Sequence, residues 1–397
     1  MNSPARMSAA ELRASTALAS IFALRLFGMF IILPVFALWA STRPGWTLQL
    51  AGVAMGAYGL TQGVLQIPFG WLSDRAGRKP MLYAGLALFT AGSFVCAMAQ
   101  GPWAMIAGRV LQGAGAVSGV AIAAVADLTR DSQRSKAMAI IGSTIGGVFA
   151  ISFVAAPSLE KAIGIHGIFA MTGCLALAAI AVVRFLVPDS PAKGRTAPAA
   201  AFAAVFRDAE LLRLYVGIFA LHAVLMAIFV VVPVALSRVG LAAGELSYVY
   251  LGAVGVGFVL MVPFFVGPLA RRERPVFLGS VAAIGVALAL LAVELSSLAG
   301  IVAALVIFFA GFNVLEAKLP ALVSRAAPRE SVGAATGAYS SVQFLGTFFG
   351  AAAGGSIAQH AGFAPVLVTC FAVTAVWLAV AWNMGDFVPA VSPAPRT

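Results

Sequence analysis

Twelve stretches of about 20 predominantly apolar residues follow one another along this chain, at roughly 16–40, 47–72, 80–99, 102–126, 136–158, 164–187, 211–236, 245–269, 275–296, 299–322, 331–357 and 363–384. About 20 helical residues rising ~1.5 Å each match the ~30 Å hydrocarbon core of a bilayer. The stretches are too long, and too poor in period-2 alternation, for the ~10-residue strands of a membrane barrel. The expected fold class is therefore an all-α integral membrane protein with 12 transmembrane helices. Composition agrees: 61% of the 397 residues are hydrophobic and 10% charged, against roughly 25% charged in soluble domains. Soluble, disordered and disulfide-stapled classes are excluded together. The first stretch is too long for a signal-peptide core and has no small-residue cleavage pattern behind it, so it is read as an uncleaved helix.

The formal charge of +11 invites a nucleic-acid reading, but membrane proteins collect Lys and Arg in their cytoplasmic loops. With the N-terminus inside, cytoplasmic segments and the cytoplasmic ends of spans hold 20 of the 25 Lys and Arg, external loops hold Arg43, Lys161 and Arg238, and Arg25 and Arg109 lie deeper within spans. Both termini are expected to be cytoplasmic and no nucleic-acid partner is expected. Three cysteines inside apolar runs and three histidines in all leave no metal-ligand spacing. No phosphate-binding G-x-x-x-x-G-K-[ST] loop or H-E-x-x-H pair is present. Cofactor, metal and intramembrane-enzyme readings are therefore set aside.

The polar stretch 188–210 divides the chain six plus six. We expect bundles at 1–187 and 211–397, the second with a short cytoplasmic tail, joined by a cytoplasmic linker. The halves echo each other. At an offset of 195 residues Pro68-Phe69 matches Pro263-Phe264, Lys79-Pro80 matches Arg274-Pro275, Arg130 matches Arg325, Arg134 matches Arg329 and Gly142 matches Gly337; Phe30 and Pro34 match Phe229 and Pro233 at 199. Two parallel repeats imply a cavity between them and alternating access by rocking.

Between spans two and three runs Gly70-Trp71-Leu72-Ser73-Asp74-Arg75-Ala76-Gly77-Arg78-Lys79-Pro80. Gly70 permits close helix approach, Asp74 can meet the positive N-terminus of another helix, Gly77 permits a tight turn, and Arg75, Arg78 and Lys79 anchor at headgroups. Read on composition alone, this is equally a plain basic turn. The segment resembles the signature loop G-x-L-a-D-r-x-G-r-k of the major facilitator superfamily, with Ser73 as the small residue. Arg109-Val110-Leu111-Gln112-Gly113-Ala114-Gly115 is similar to the fourth-helix motif of that superfamily's proton-coupled antiporters. Through Arg25-Leu26-Phe27-Gly28, Tyr58-Gly59-Leu60-Thr61-Gln62, Asp127-Leu128-Thr129-Arg130 and Phe312-Asn313-Val314-Leu315-Glu316 the chain looks most like the YajR-type branch of drug:proton antiporters. The resemblance implies two pseudo-symmetric six-helix bundles, an inner-membrane monomer, and a loop in which Asp74, Arg78 and Asp127 hold the cytoplasmic side shut, Asp74 docking on the eleventh helix. Two departures stand out. Ala156-Pro157 replaces the fifth-helix Gly-Pro, and the second-half loop, Phe265 to Arg274, has lost its Asp.

A charge at membrane depth is costly and marks a functional candidate. Four matter: Glu316, His222, Arg109 and Arg25. Asn313, Glu316 and Pro320 share one face of the tenth span, whereas Lys318 points elsewhere and can snorkel. A carboxyl held from water favours its neutral form and can exchange a proton, which makes Glu316 the leading proton site; a structural Glu tied to Arg or backbone is the competing reading. His222 is a second candidate, or a neutral hydrogen-bonded core His. Arg109, with Gln112 on its face, is a coupling candidate by its motif, and Arg25 is read first as structural. Tyr58, Gln62 and Gln66 form a polar stripe on span two, as do Tyr339 and Gln343 on span eleven, lining a pathway or bonding between helices. The expected function is proton-driven efflux of a small amphipathic compound, with an uptake symporter or facilitator as the alternative.

Overall fold

The chain's helices begin where side chains satisfy the free backbone N–H groups of a first turn. Ser8 and Glu11 form a reciprocal capping box on the first helix; Thr47, Asp208 and Ser297 cap the second, seventh and tenth spans. The computed structural model describes residues 7–189, 203–266, 268–328 and 331–384. Most of the expected linker, residues 190–202, and the tail from 385 lie outside them.

Among the described residues, nine helices are long and apolar enough to cross a membrane, and one of these, Lys136–Phe185, has 50 residues. At ~1.5 Å per residue that is two crossings. It breaks at Gly164, whose φ of +67° ends span five and starts span six. The second span (Leu48–Ala76) and the eleventh (Val332–Ala361) are equally long but more polar. That makes twelve. Three spans are interrupted: the first, Ala9–Ser41, at Ile31–Ile32 before Pro34; the fourth, Pro102–Leu128, at Gly115–Val117; and the eighth, Leu246–Phe264, in a final 3-10 turn at Pro263. The first span begins about seven residues earlier than its hydropathy suggests. The reason is Glu11, whose carboxylate is buried against Arg130 and so extends the helix into a polar layer.

The two faces of the bundle differ. On the face carrying Met7 and Met384, ion pairs tie neighbouring spans: Glu11–Arg130 at 2.8 Å, Lys79–Asp189 at 2.8 Å, and Glu273–Arg325 at 2.9 Å. On the opposite face the first and last six spans press together. The Leu48 N–H donates to Gln359 Oε1 at 2.9 Å, and the Ser247 hydroxyl donates to the Val154 carbonyl at 2.9 Å. The second and eleventh spans meet along Gly52, Gly56, Gly59 and Gly63, where a Cβ would lie 2.0–2.9 Å from Ala351, Phe348, Thr347 and Ser341. Only small residues allow backbones this close. Near mid-depth, aromatic rings complete the seal: Phe153 lies 5.0 Å from Phe229 and 5.9 Å from Tyr250, and Phe149 stacks on Phe312 at 6.3 Å. Towards the ion-paired face the contact ends. A Cβ at Gly70, Gly142, Gly146, Gly333 or Gly337 would meet nothing within 4 Å. The halves are thus closed at one face and splayed at the face that carries the described chain ends.

Candidate functional site

Three polar groupings sit where the sequence places its candidates. The first is in the first six spans at mid-depth. Arg25 is 1% exposed. Its guanidinium donates to Ser118 Oγ at 2.8 Å, to Gln62 Oε1 at 2.6 Å and to the Tyr58 hydroxyl, and lies over the Phe89 ring at 5.5 Å. Gln62 in turn donates to Gln66 Oε1 at 2.9 Å. Arg109, 2% exposed, donates to Gln112 Oε1 at 2.8 Å and to the carbonyls of Ala54 and Met55, both at 3.3 Å. Its guanidinium lies 5.0 Å over the Tyr58 ring, and Gln112 passes the chain on to Ser93 Oγ at 2.8 Å. Tyr58 therefore joins two cations that have no carboxylate in contact among the described residues. In this conformation Tyr58 and Gln62 are spent on hydrogen bonds from the first span, and Gln66 on one from Gln62 within its own helix. Ser118, which accepts from Arg25, and Ser93, which accepts from Gln112, carried no sequence signal, because a lone Ser in an apolar helix is ordinary.

The second grouping lies across the bundle. Gln343 Nε2 is 2.8 Å from His222 Nε2 and 3.4 Å from Glu316 Oε1; His222 Nε2 is 3.7 Å from Glu316 Oε2. Spans seven, ten and eleven each supply one member. With the amide nitrogen facing the imidazole, Nε2 accepts and the imidazole proton sits on Nδ1. The Glu316 side chain is 38% exposed and that of His222 10%; Glu316 Oε2 and His222 Nδ1 are themselves buried, without a hydrogen-bond partner among the described residues. Asn313 Nδ2, Ser341 Oγ and the Tyr339 hydroxyl, all buried, have no hydrogen-bond partner among the described residues. Lys318 points away from this cluster, with Nζ 5.2 Å from the Phe265 ring. Arg25 and Arg109 are absent from the cluster: the four charged candidates form two separate sites.

The third grouping is the loop after span two. That span ends at Ala76, Gly77 turns the chain at φ +94°, and span three starts at Arg78. Despite the turn, Arg78 reaches back to Asp74 at 2.5 Å and Ser73 Oγ at 2.6 Å, and across to Asp127 at 2.9 Å. Arg75 lies 3.8 Å over the Trp71 ring, and Lys79 holds Asp189. The Lys79 ammonium keeps the exposed Asp189 carboxyl below the usual carboxylate range. The expected docking of Asp74 on the eleventh helix differs from what is seen: Asp74 pairs within its own half. The physical reason is the splay described above, which leaves Gly70 with open space around it.

Residues 18–351 match the Major Facilitator Superfamily. The chain belongs to that family. It is a multi-pass membrane transporter and not an enzyme. It is 39% identical over 386 residues to the inner membrane transport protein YajR of Escherichia coli (strain K12), covering 96% of this chain and 85% of that one. Over 131 residues, 30% of this chain and 33% of the relative, it is 34% identical to the multidrug resistance protein MdtH of Yersinia enterocolitica. The human organic anion transporter MFSD10 superposes with TM-score 0.70 at 16% identity, over 94% of this chain and 100% of that chain. A bacterial homologue of the lysosomal transporter Spinster superposes with TM-score 0.73 at 14% identity, over 94% and 97%. These two neighbours speak to the fold, and the fold expected from sequence is the one found.

Proposed function

We propose that this transporter couples inward proton movement to outward movement of a small amphipathic compound, with Glu316 as the proton-carrying group. The observation that supports this is the Glu316–Gln343–His222 cluster. It holds the carboxylate nearest mid-depth, 38% exposed, on the face of the tenth span that meets spans seven and eleven, beside a base and an amide that can serve either protonation state. With Glu316 ionised, the Gln343 nitrogen donates to it and to His222. With Glu316 protonated, rotation of the amide lets its oxygen accept from the acid, while a proton on His222 Nε2 can point to the same oxygen. The bridge through Gln343 thus has two hydrogen-bonded arrangements, and a preference of each for one orientation of the halves is all that coupling requires. One charge crossing 100 mV supplies about 2.3 kcal/mol.

In this reading the bundles 1–187 and 211–397 rock about linker 188–210, and the open face is cytoplasmic, as are both termini. The membrane is the inner membrane and the working unit a monomer. Asp74, Arg78 and Asp127, with Gly70 and Gly77 setting the turn, form the cytoplasmic latch, here disengaged from the eleventh helix. Asn313, Tyr339 and Gln343 line the substrate path. The partial match to MdtH supports a drug-like substrate. Arg25 and Arg109 keep the first half positive and discourage a second proton from binding nearby.

Uptake by symport on the same fold is the second reading, favoured by Ala156-Pro157 where exporters of the superfamily carry Gly-Pro. Reconstitution into liposomes with an imposed pH gradient and a lumenal pH indicator, screened against amphipathic dyes, separates them. Antiport releases lumenal protons as dye enters, and symport carries both the same way. Glu316→Gln should abolish the proton signal while leaving dye equilibration. A mutant that exchanges protons for dye at the wild-type ratio refutes the assignment.

A further inference from the structure

The second half carries a site that its first-half counterpart lacks. At the repeat offset of 195, Arg78 corresponds to Glu273 and Asp74 to Leu269. In the first half the Arg78 guanidinium fills the junction between the loop and the end of span four. In the second half the corresponding junction, between spans eight, nine and ten, is an open cavity of about 490 Å³ lined by Phe264, Phe265, Phe277, Lys318, Leu322 and Arg325. That is within the range of small-ligand sites.

Its electrostatics are one-sided. Glu273 is the acid at the site, and Arg325 Nη2 donates to both of its oxygens at 2.9 Å. Lys318 makes no ion pair among the described residues; its ammonium lies over the Phe265 ring instead. A half-buried ammonium against an aromatic face, beside an already neutralised carboxylate, lacks an anion. Arg272, next to Glu273 in the chain, is exposed. The cavity opens at the level where the ion-paired layer meets the membrane. Close in the chain to its lining residues Phe264 and Phe265, Val259, Val262 and Val266, at 70%, 51% and 68% exposure, put an exposed strip of valines at the end of the eighth span and the bend after it. A ligand with one anionic phosphate and a hydrocarbon tail satisfies both parts; a free anion satisfies the first alone.

We infer that this cavity binds the headgroup of an anionic phospholipid, with its phosphate on Lys318 and an acyl chain along the valine strip. Site and ligand stand independently of the proton assignment to Glu316. A lipid held here ties the loop after span eight to span ten, the place that the Arg78 bridge occupies in the first half. The asymmetry between the two loops then has a function: one is closed by its own side chains, the other by a membrane component.

The test is native mass spectrometry of the purified full chain in detergent, titrated with phosphatidylglycerol or with phosphatidylcholine of the same chains. Lys318→Gln should weaken phosphatidylglycerol binding about five- to tenfold, as expected for one basic contact to an anionic lipid. Lys318→Arg should retain it, and Lys136→Gln, at an exposed lysine in the first half, should leave it unchanged. Near-wild-type thermal midpoints exclude misfolding as the cause. Inorganic phosphate at millimolar concentration should not displace the lipid. Equal binding by wild type and Lys318→Gln overturns the proposal; full displacement by inorganic phosphate assigns the site to a free anion and overturns the lipid.

Discussion

The glycine seam between spans two and eleven makes a quantitative prediction about conformational balance. A Cβ on Gly52 would sit 2.2 Å from the Ala351 carbonyl oxygen and 3.0 Å from Gly355 Cα. A carbon and an oxygen not hydrogen-bonded need about 3.2 Å, so Gly52→Ala forces the helices roughly 1 Å apart at this point, a typical overpacking cost of about 1–3 kcal/mol. The contact joins the two halves at the closed face, so rocking to the opposite orientation removes the clash. The cost therefore falls on one state and shifts the balance about 5- to 150-fold towards the orientation open at that face. Gly350→Ala is the internal control. Its Cβ would meet Ala223 O at 2.0 Å, but Ala223 belongs to the same half, so the clash persists in both states and should lower the thermal midpoint without shifting the balance. The assay is a spin-label distance between Ser41→Cys and Ser237→Cys, exposed ends of spans one and seven on the closed face, with native cysteines replaced by alanine. Gly52→Ala should add a longer-distance population. An unchanged distribution in a folded protein refutes the reasoning.

Other consequences follow from single contacts. Tyr58→Phe removes an acceptor from the buried Arg25 guanidinium and should cost about 1–3 kcal/mol, seen as a lower thermal midpoint. Gln343→Leu breaks the link between His222 and Glu316 and should move the pH profile of transport more than the affinity for substrate; a profile that superposes on wild type argues against the bridge. Asp127→Asn weakens the hold on Arg78 and should slow turnover while dye binding persists. Asp189→Asn tests a weaker claim. Its depressed carboxyl stabilises the fold only above the pH at which the folded protein protonates it, and at 92% exposure the pair contributes little. Its midpoint at pH 7 should match wild type.

Much of this architecture was legible in the chain because the bilayer enforces it. Helix length is fixed by membrane thickness and loop charge by topology, so the twelve spans and the Gly70–Lys79 loop stand out locally. Long-range pairing is different. Arg25 meets Gln62 and Ser118 at separations of 37 and 93 residues, and no pattern in apolar helices announces which Ser faces an Arg. Gln343 read as one member of a stripe; its place between an acid and an imidazole depends on how three spans pack. Lys318 read as a snorkelling residue, and its neighbourhood emerged only when Glu273 proved to be spent on Arg325. The seam at Gly52, Gly56, Gly59 and Gly63 had a usable signal, small residues on one face at helical spacing, that the sequence reading passed over. The docking of Asp74 depends on conformational state, which a sequence does not carry.

The central claim is that protonation of Glu316 biases which face is open. The same Ser41–Ser237 distance, measured in lipid at pH 5.5 and at pH 8.5, tests it without knowledge of the substrate. The account predicts that the wild-type distribution shifts between the two pH values, and that Glu316→Gln gives one distribution at both, resembling the wild type at low pH. A wild type insensitive to pH, or a mutant that still shifts as wild type does, contradicts it.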